Sequence, residues 1–149
     1  MYEKYRIEAL DEKSAELIAE CWRYPEPYEM YNADRNRYRK YREDSEEKKH
    51  YFQVTADGIL VGYFHVEKED RFVNLNFKMK PELCGQGKGK QFLNAIEKYI
   101  HRYQKGMTIV GDVLPFDERA LTLLKHMGYA QCGYAELKNY PAIRYMKKV

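Results

Sequence analysis

Residues 81–92 read Pro-Glu-Leu-Cys-Gly-Gln-Gly-Lys-Gly-Lys-Gln-Phe, with Gly85, Gly87 and Gly89 alternating where a helix begins. Before them, Val73, Leu75, Phe77 and Met79 alternate with Asn74, Asn76 and Lys78, the period of a strand with one apolar face. Pro81 has no N–H for a ladder and ends that strand. After them, Phe92, Leu93, Ile96, Tyr99, Ile100 and Tyr103 recur at helical spacing over 87–104. A strand, a glycine loop and an amphipathic helix in this order make a turn whose backbone can approach another molecule. Alternating glycines turn successive N–H groups one way. The first helical turn adds unsatisfied N–H groups and a partial positive charge. Together they suit a phosphate or diphosphate, with Lys88 and Lys90 adding charge. Two familiar phosphate loops fit poorly. The dinucleotide pattern G-x-G-x-x-G opens a first βαβ unit, whereas this loop follows a meander of strands. The nucleotide loop needs Ser or Thr after its lysine, and Lys90 is followed by Gln91. A glycine-rich turn without a ligand is the alternative reading.

The rest of the chain supplies a sheet for this unit. Residues 2–9 read as a first strand. Asp11 caps a helix to about Arg23, with Leu17, Ile18, Cys21 and Trp22 on its apolar side, and Pro25 and Pro27 stop it. A short helix to about Arg42 follows, its run Arg35–Arg42 a solvated basic face, and 43–50 read as a solvated loop. Strands at 50–56 and 59–67 meet across Asp57-Gly58, two residues that tolerate positive φ. Residues 107–114 form a strand. Asp117 opens a helix to Met127, with Ala120, Leu121, Leu123 and Leu124 apolar and Gly128 as its cap. Strands at 129–137 and 142–149 close the chain. The order predicts an α/β fold, a mixed sheet with helices on its faces.

With 149 residues, one domain is expected. The net charge, 26 − 23 = +3, is too small for an obligate nucleic-acid binder. No apolar run is long enough to span a bilayer, and the charged N-terminus lacks a signal peptide's apolar core. Cys21, Cys84 and Cys132 are few, odd and far apart, which predicts neither disulfides nor a zinc site and fits a reduced cytoplasmic protein. Of 22 aromatic residues 15 are tyrosine, and six of these fall between Tyr24 and Tyr51; an apolar body with a polar tip suits wet pockets and interfaces as well as core edges.

Two segments carry a family resemblance. FKMKPELCGQGKGKQFLNAIEKY resembles the acetyl-CoA motif of the GNAT acetyltransferases: an apolar strand, a proline, R/Q-x-x-G-x-G/A, then a helix. VLPFDERALTLLKHMGYAQCG resembles that superfamily's second motif, in which Asn-x-x-Ala precedes a helix ending in Gly-Phe or Gly-Tyr. The match spans roughly 50–137. It implies a mostly antiparallel central sheet flanked by helices, with the strands at 71–79 and 107–114 splayed at the cofactor site. It implies that backbone N–H groups of Gly85, Gln86, Gly87, Lys88, Gly89 and Lys90 hold the diphosphate of acetyl-CoA. Phe77, Lys78 and Met79 would pair with the pantetheine arm, and Asp117 would stand at the mouth of the last helix. There are three departures. Cys84 stands where Arg or Gln usually opens the loop, Asp117 where Asn is usual, and Leu124 where many members carry a Tyr proposed as general acid.

The implied chemistry is acetyl transfer to an amine in a ternary complex, without a metal. It needs a neutral amine, N–H donors for the oxyanion, such as one near Met79, and a route for one proton. The resemblance to ribosomal-protein acetyltransferases makes Asp112 the expected base; the alternative is an ordinary polar strand residue. Asn76 would orient a water, and His65 is a second candidate base. Tyr134 or Tyr129 would replace the missing acid. His50, His101 and His126 read as surface residues. Cys84, on the phosphate side of the loop, is not expected to be a nucleophile. Trp22, Tyr24, Tyr28 and Tyr31, with Glu26 and Glu29, would line the acceptor pocket. The expected acceptor is a small amine or a peptide, with no nucleic-acid or membrane partner expected, and the protein is expected to be a monomer or homodimer. Alternatives are a protein N-terminus or Lys as acceptor, or a non-catalytic acyl-CoA-binding module.

Overall fold

A computed structural model describes residues 4–149. Its strands are β1 (Tyr5–Ala9), β2 (Tyr51–Ala56), β3 (Ile59–Glu69), β4 (Phe72–Met79), β5 (Thr108–Val113), β6 (Ala130–Leu137) and β7 (Tyr140–Lys148). Its helices are α1 (Glu12–Cys21), α2 (Arg35–Glu43), α3 (Ser45–Lys48), α4 (Gly89–Tyr103) and α5 (Glu118–His126). The strands join in one seven-stranded sheet, ordered β1-β2-β3-β4-β5-β7-β6, flanked by the helices. The sheet is mostly antiparallel. The exception is β4 with β5, a parallel ladder that pairs Phe72, Val73 and Asn74 with Thr108, Ile109 and Val110. The expected mixed α/β fold is present. Tyr2 and Glu3 of the expected first strand lie outside the described residues.

The chain divides into two compact units. The first holds the described residues up to His65 together with Phe77–Cys84. In it, β2 and β3 turn across Asp57 and Gly58, both at positive φ, as the sequence predicts. Asp11 caps α1 by accepting from the Ser14 N–H at 2.7 Å. The helix ends at Cys21, because Trp22 takes an extended backbone. Its buried stripe is Ala15, Ile18, Ala19 and Trp22, one helical face at i, i+3, i+4 and i+7, so Leu17 and Cys21 fall on the next face and are exposed. The expected loop at 43–50 contains the single turn α3, which forms because Asp44 accepts from the N–H groups of Glu46 and Glu47. Helix α2 exposes its basic residues and buries Tyr41, whose hydroxyl donates to the Leu10 carbonyl. Leu10, Ala15, Ile18, Trp22, Tyr41, Tyr51 and Tyr63 form this unit's core. Tyrosine is thus used here as a core residue with a polar tip.

The second unit holds Val66–Asn76 and Gly85–Val149. Helix α4 buries Phe92, Leu93, Ile96 and Ile100, and also Glu97, while Tyr103 is exposed. Asp117 caps α5 from the Ala120 N–H at 3.1 Å, and Gly128 takes the left-handed conformation just past its end. Strand β7 starts at Tyr140, two residues earlier than expected. Lys138 and Asn139 both adopt positive φ and make a two-residue hairpin turn to β6. Strand β6 carries a bulge at Cys132, between Gln131 and Gly133. Among the described residues, no helix is long and apolar enough to cross a membrane.

Candidate active site

The glycine loop follows a short 3-10 turn, Pro81–Leu83. Gly85 and Gly87 have φ of +76° and +74°, a backbone that a side chain disfavours. A Cβ at Gly87 would meet nothing within 4 Å, so the demand there is on conformation alone. Gly89 differs: it is helical, and a Cβ there would lie 3.3 Å from Leu123 Cδ2, so it serves the packing of α4 against α5. Four of the α-helices have an aspartate side chain accepting from a first-turn N–H: Asp11, Asp34, Asp44 and Asp117. Helix α4 begins at Lys88 with no side-chain cap. The sequence reading missed Arg119. A Cβ on Gly85 would sit 3.2 Å from Arg119 Nη1, so a guanidinium from α5 lies against the loop. Its signal in the sequence is slight: a basic residue two positions after a helix cap, in the turn where acids are favoured.

In the first unit, Tyr24 is buried and its hydroxyl donates to the Met79 carbonyl at 2.5 Å. Burial pushes its pKa far up, so it stays a donor. Trp22 is 2% exposed and packs on Tyr63, with ring centroids 5.9 Å apart. Both were expected on an acceptor wall; the structure makes Trp22 a core residue and Tyr24 an anchor of β4. Their rings are the largest apolar surfaces at the end of α1, and the core takes them first. Tyr28 and Tyr31 are half-buried and stacked 6.2 Å apart. Lys78 Nζ sits 4.6 Å over the Tyr31 ring and 3.3 Å from the Phe77 carbonyl. The Cys84 sulfur lies 3.8 Å from the Met79 carbonyl and 3.6 Å from that of Lys80, a thiol turned to the backbone.

Asp112, on β5, has both carboxylate oxygens paired with Arg144 across the β5–β7 ladder, at 2.8 and 3.0 Å. The same pair pushes the Arg144 pKa up. Leu124, at the place of the expected acid, is buried. The Tyr129 hydroxyl donates to buried Glu97 at 2.7 Å, and burial raises its pKa. Tyr134 is 80% exposed on β6, and Asn76 is half-buried on β4. His65 stands 3.5 Å from Glu47 and packs edge-on to Tyr51. His50, expected on the surface, is half-buried and packs against His65, with ring centroids 5.4 Å apart. Asp117 spends its carboxylate on the α5 cap. The structure therefore groups Tyr24, Lys78, Met79 and Cys84 in one unit, and Gly85, Gly87 and Arg119 in the other. Among the described residues no group of three His, Cys, Asp or Glu could hold a metal ion.

No protein-family model matches the sequence, and neither does any curated protein. Solved structures do match. Aminoglycoside acetyltransferase AAC(6')-Ib in complex with coenzyme A superposes with a TM-score of 0.80 at 13% identity, covering 97% of this chain and 95% of that one. A spermidine N-acetyltransferase chimera from Vibrio cholerae SpeG and hSSAT gives 0.78 at 15% identity, over 97% and 95%. A ribosomal-protein-alanine N-acetyltransferase from Escherichia coli gives 0.70 at 14% identity, over 97% and 94%. At these identities the likeness is one of fold, and the fold is the acetyltransferase fold that the two sequence motifs resemble.

Proposed function

We propose that this chain is an acetyl-CoA-dependent N-acetyltransferase working by direct transfer in a ternary complex. One observation carries the reading: α4 starts without a side-chain cap, directly after two glycines held at positive φ and beside a guanidinium. Uncapped N–H groups, a helix dipole and Arg119 suit a diphosphate. The first-turn N–H groups of Gly89 and Lys90, with Gln86, Gly87 and Lys88 before them, would hold it, and Lys90 adds charge. The fold supports this choice of phosphate ligand, since one of its matches is a coenzyme A complex. Acetyl-CoA supplies a thioester whose thiolate leaves readily. The acceptor nitrogen attacks the carbonyl carbon, the C–S bond breaks, and the amine loses one proton. Holding the reactants in line supplies much of the acceleration. Residues 1–149 are read as one such domain, because the match covers nearly the whole of both chains. A cytoplasmic site of action fits three cysteines that are all thiols.

The acceptor is read as a small amine or a peptide that meets Tyr28 and Tyr31. Lys78 already occupies one face of Tyr31, so an ammonium would have to displace it there. Asp112 is the proposed base; both its carboxylate oxygens are paired with Arg144, so the amine would have to share them. Asp112→Asn is expected to lower kcat/KM about tenfold, with acetyl-CoA affinity unchanged. Equal activity across pH would remove the base role. Arg119→Ala is expected to weaken acetyl-CoA binding about three- to tenfold, and more at low salt, which titration at two ionic strengths reads.

A second reading is an acyl-CoA-binding module without turnover. It is favoured by Leu124 at the acid's place and by the engagement of Asp112 and Tyr129 elsewhere. Calorimetry with acetyl-CoA, followed by thiol release against an amine and peptide panel, separates the two. Binding with no release selects the module, and no binding overturns both.

A further inference from the structure

We propose that Tyr24 is a positioning residue for acyl transfer: with Lys78 it ties up the backbone carbonyls at the end of β4, so that the Met79 N–H on this edge faces the reacting carbonyl. The inference rests on the acetyl-CoA reading. Lys80 N–H donates to the Val61 carbonyl of β3 at 2.8 Å, so the backbone groups of Lys80 face β3. In a strand the next residue faces the other way, which puts the N–H and C=O of Met79 and of Phe77 on the edge turned from β3. Both of those carbonyls are engaged by side chains. Met79 accepts from Tyr24 at 2.5 Å, with the Cys84 thiol at 3.8 Å, and Phe77 accepts from Lys78 Nζ at 3.3 Å. The Met79–Lys80 peptide is therefore held at both ends, its carbonyl by Tyr24 and its N–H by Val61.

The chemistry asks for this arrangement. A thioester oxygen that gains negative charge is repelled by a carbonyl pointing at it and stabilised by an N–H set in place beforehand. Met79 presents both groups on one edge, and Tyr24 neutralises the unhelpful one. The phenol is suited to the task because it is buried in the first unit and stays protonated. Its partner Lys78 is a second, half-buried clamp one residue away.

Tyr24→Phe keeps the ring and removes the donor. The expected result is a fall in kcat of about tenfold, with KM for acetyl-CoA and its calorimetric affinity changed less than twofold. Lys78→Met is expected to lower kcat several-fold, and Lys78→Arg to restore most of it. A merely structural Tyr24 would lower Tm and leave kcat intact at low temperature, and that outcome overturns the proposal. If Tyr24→Phe does not fold, wild-type kcat in Lys78→Met overturns it. Wild-type protein that binds no acetyl-CoA sinks the underlying reading instead. Binding without turnover on any amine selects the non-catalytic module and overturns the positioning role with it, since there is then no transfer to position.

Discussion

Gly87→Val is expected to weaken acetyl-CoA binding at least a hundredfold, about 2.7 kcal/mol. The reason is the backbone. Gly87 sits at φ +74°, and a β-branched residue there costs about 1–3 kcal/mol or forces the loop into another conformation. No clash enters, because a Cβ would meet nothing within 4 Å. The loop therefore escapes strain by flipping, and the N–H groups that precede α4 then point elsewhere. Three controls give the prediction its edge. Gly87→Asn, a residue that tolerates the left-handed region, is expected to keep most of the affinity. Gly106→Val meets the same demand, φ +79° with open space, in the turn after α4, and is expected to leave binding alone. Gly89→Val strikes Leu123 and is expected to lower Tm as well as affinity. Calorimetry reads all four variants. Wild-type affinity in Gly87→Val would remove the diphosphate assignment.

What the sequence discloses and what it hides divide along the range of the interaction. Asp11 and Asp117 as caps, Asp57-Gly58 as a hairpin turn and Gly128 past a helix end are legible because each is settled by its neighbours in the chain. The loop at Gly85–Gly89 is legible for the same reason, and so is its place between strand and helix. The Lys138-Asn139 turn shows the limit of that rule: it is local, but lysine at positive φ is unusual enough to hide it. The site side chains are set by partners far along the chain. Trp22 and Tyr24 look alike in a Tyr-rich segment, yet one is core and the other bonds Met79, 55 residues away. Arg119 reaches Gly85 from another helix, and Asp112 meets Arg144 across a ladder. The chemistry of a residue type was readable; its commitment to another group was not. That is why the conformation of the glycine loop is legible in the sequence, and the partners of Asp112 and Tyr24 are not.

Lys147→Met is expected to cost about 2–3 kcal/mol of stability, because it strands a buried carboxylate. Glu97 lies on the helical face that carries Phe92, Leu93, Ile96 and Ile100, with its side chain only 8% exposed. An acid at that place reads as an error in the hydrophobic stripe until its partners are seen. Lys147 Nζ reaches one oxygen at 2.9 Å, and the Tyr129 hydroxyl donates to the other at 2.7 Å. Removing the ammonium leaves one neutral donor for a charge kept out of water. The figure is set below the range for a fully buried pair, because the Lys147 side chain is itself 27% exposed. For a chain of this length the loss corresponds to a Tm about 6–10 °C lower. Tyr129→Phe removes a neutral donor and should cost less, about 1–2 kcal/mol. The double variant Glu97→Leu/Lys147→Met separates pairing from packing: with no charge left to strand, it is expected to recover most of the stability lost in Lys147→Met. Urea unfolding of the three variants measures this. A Lys147→Met protein as stable as wild type would mean that water already reaches Glu97, and that the acid sits in the stripe at no cost.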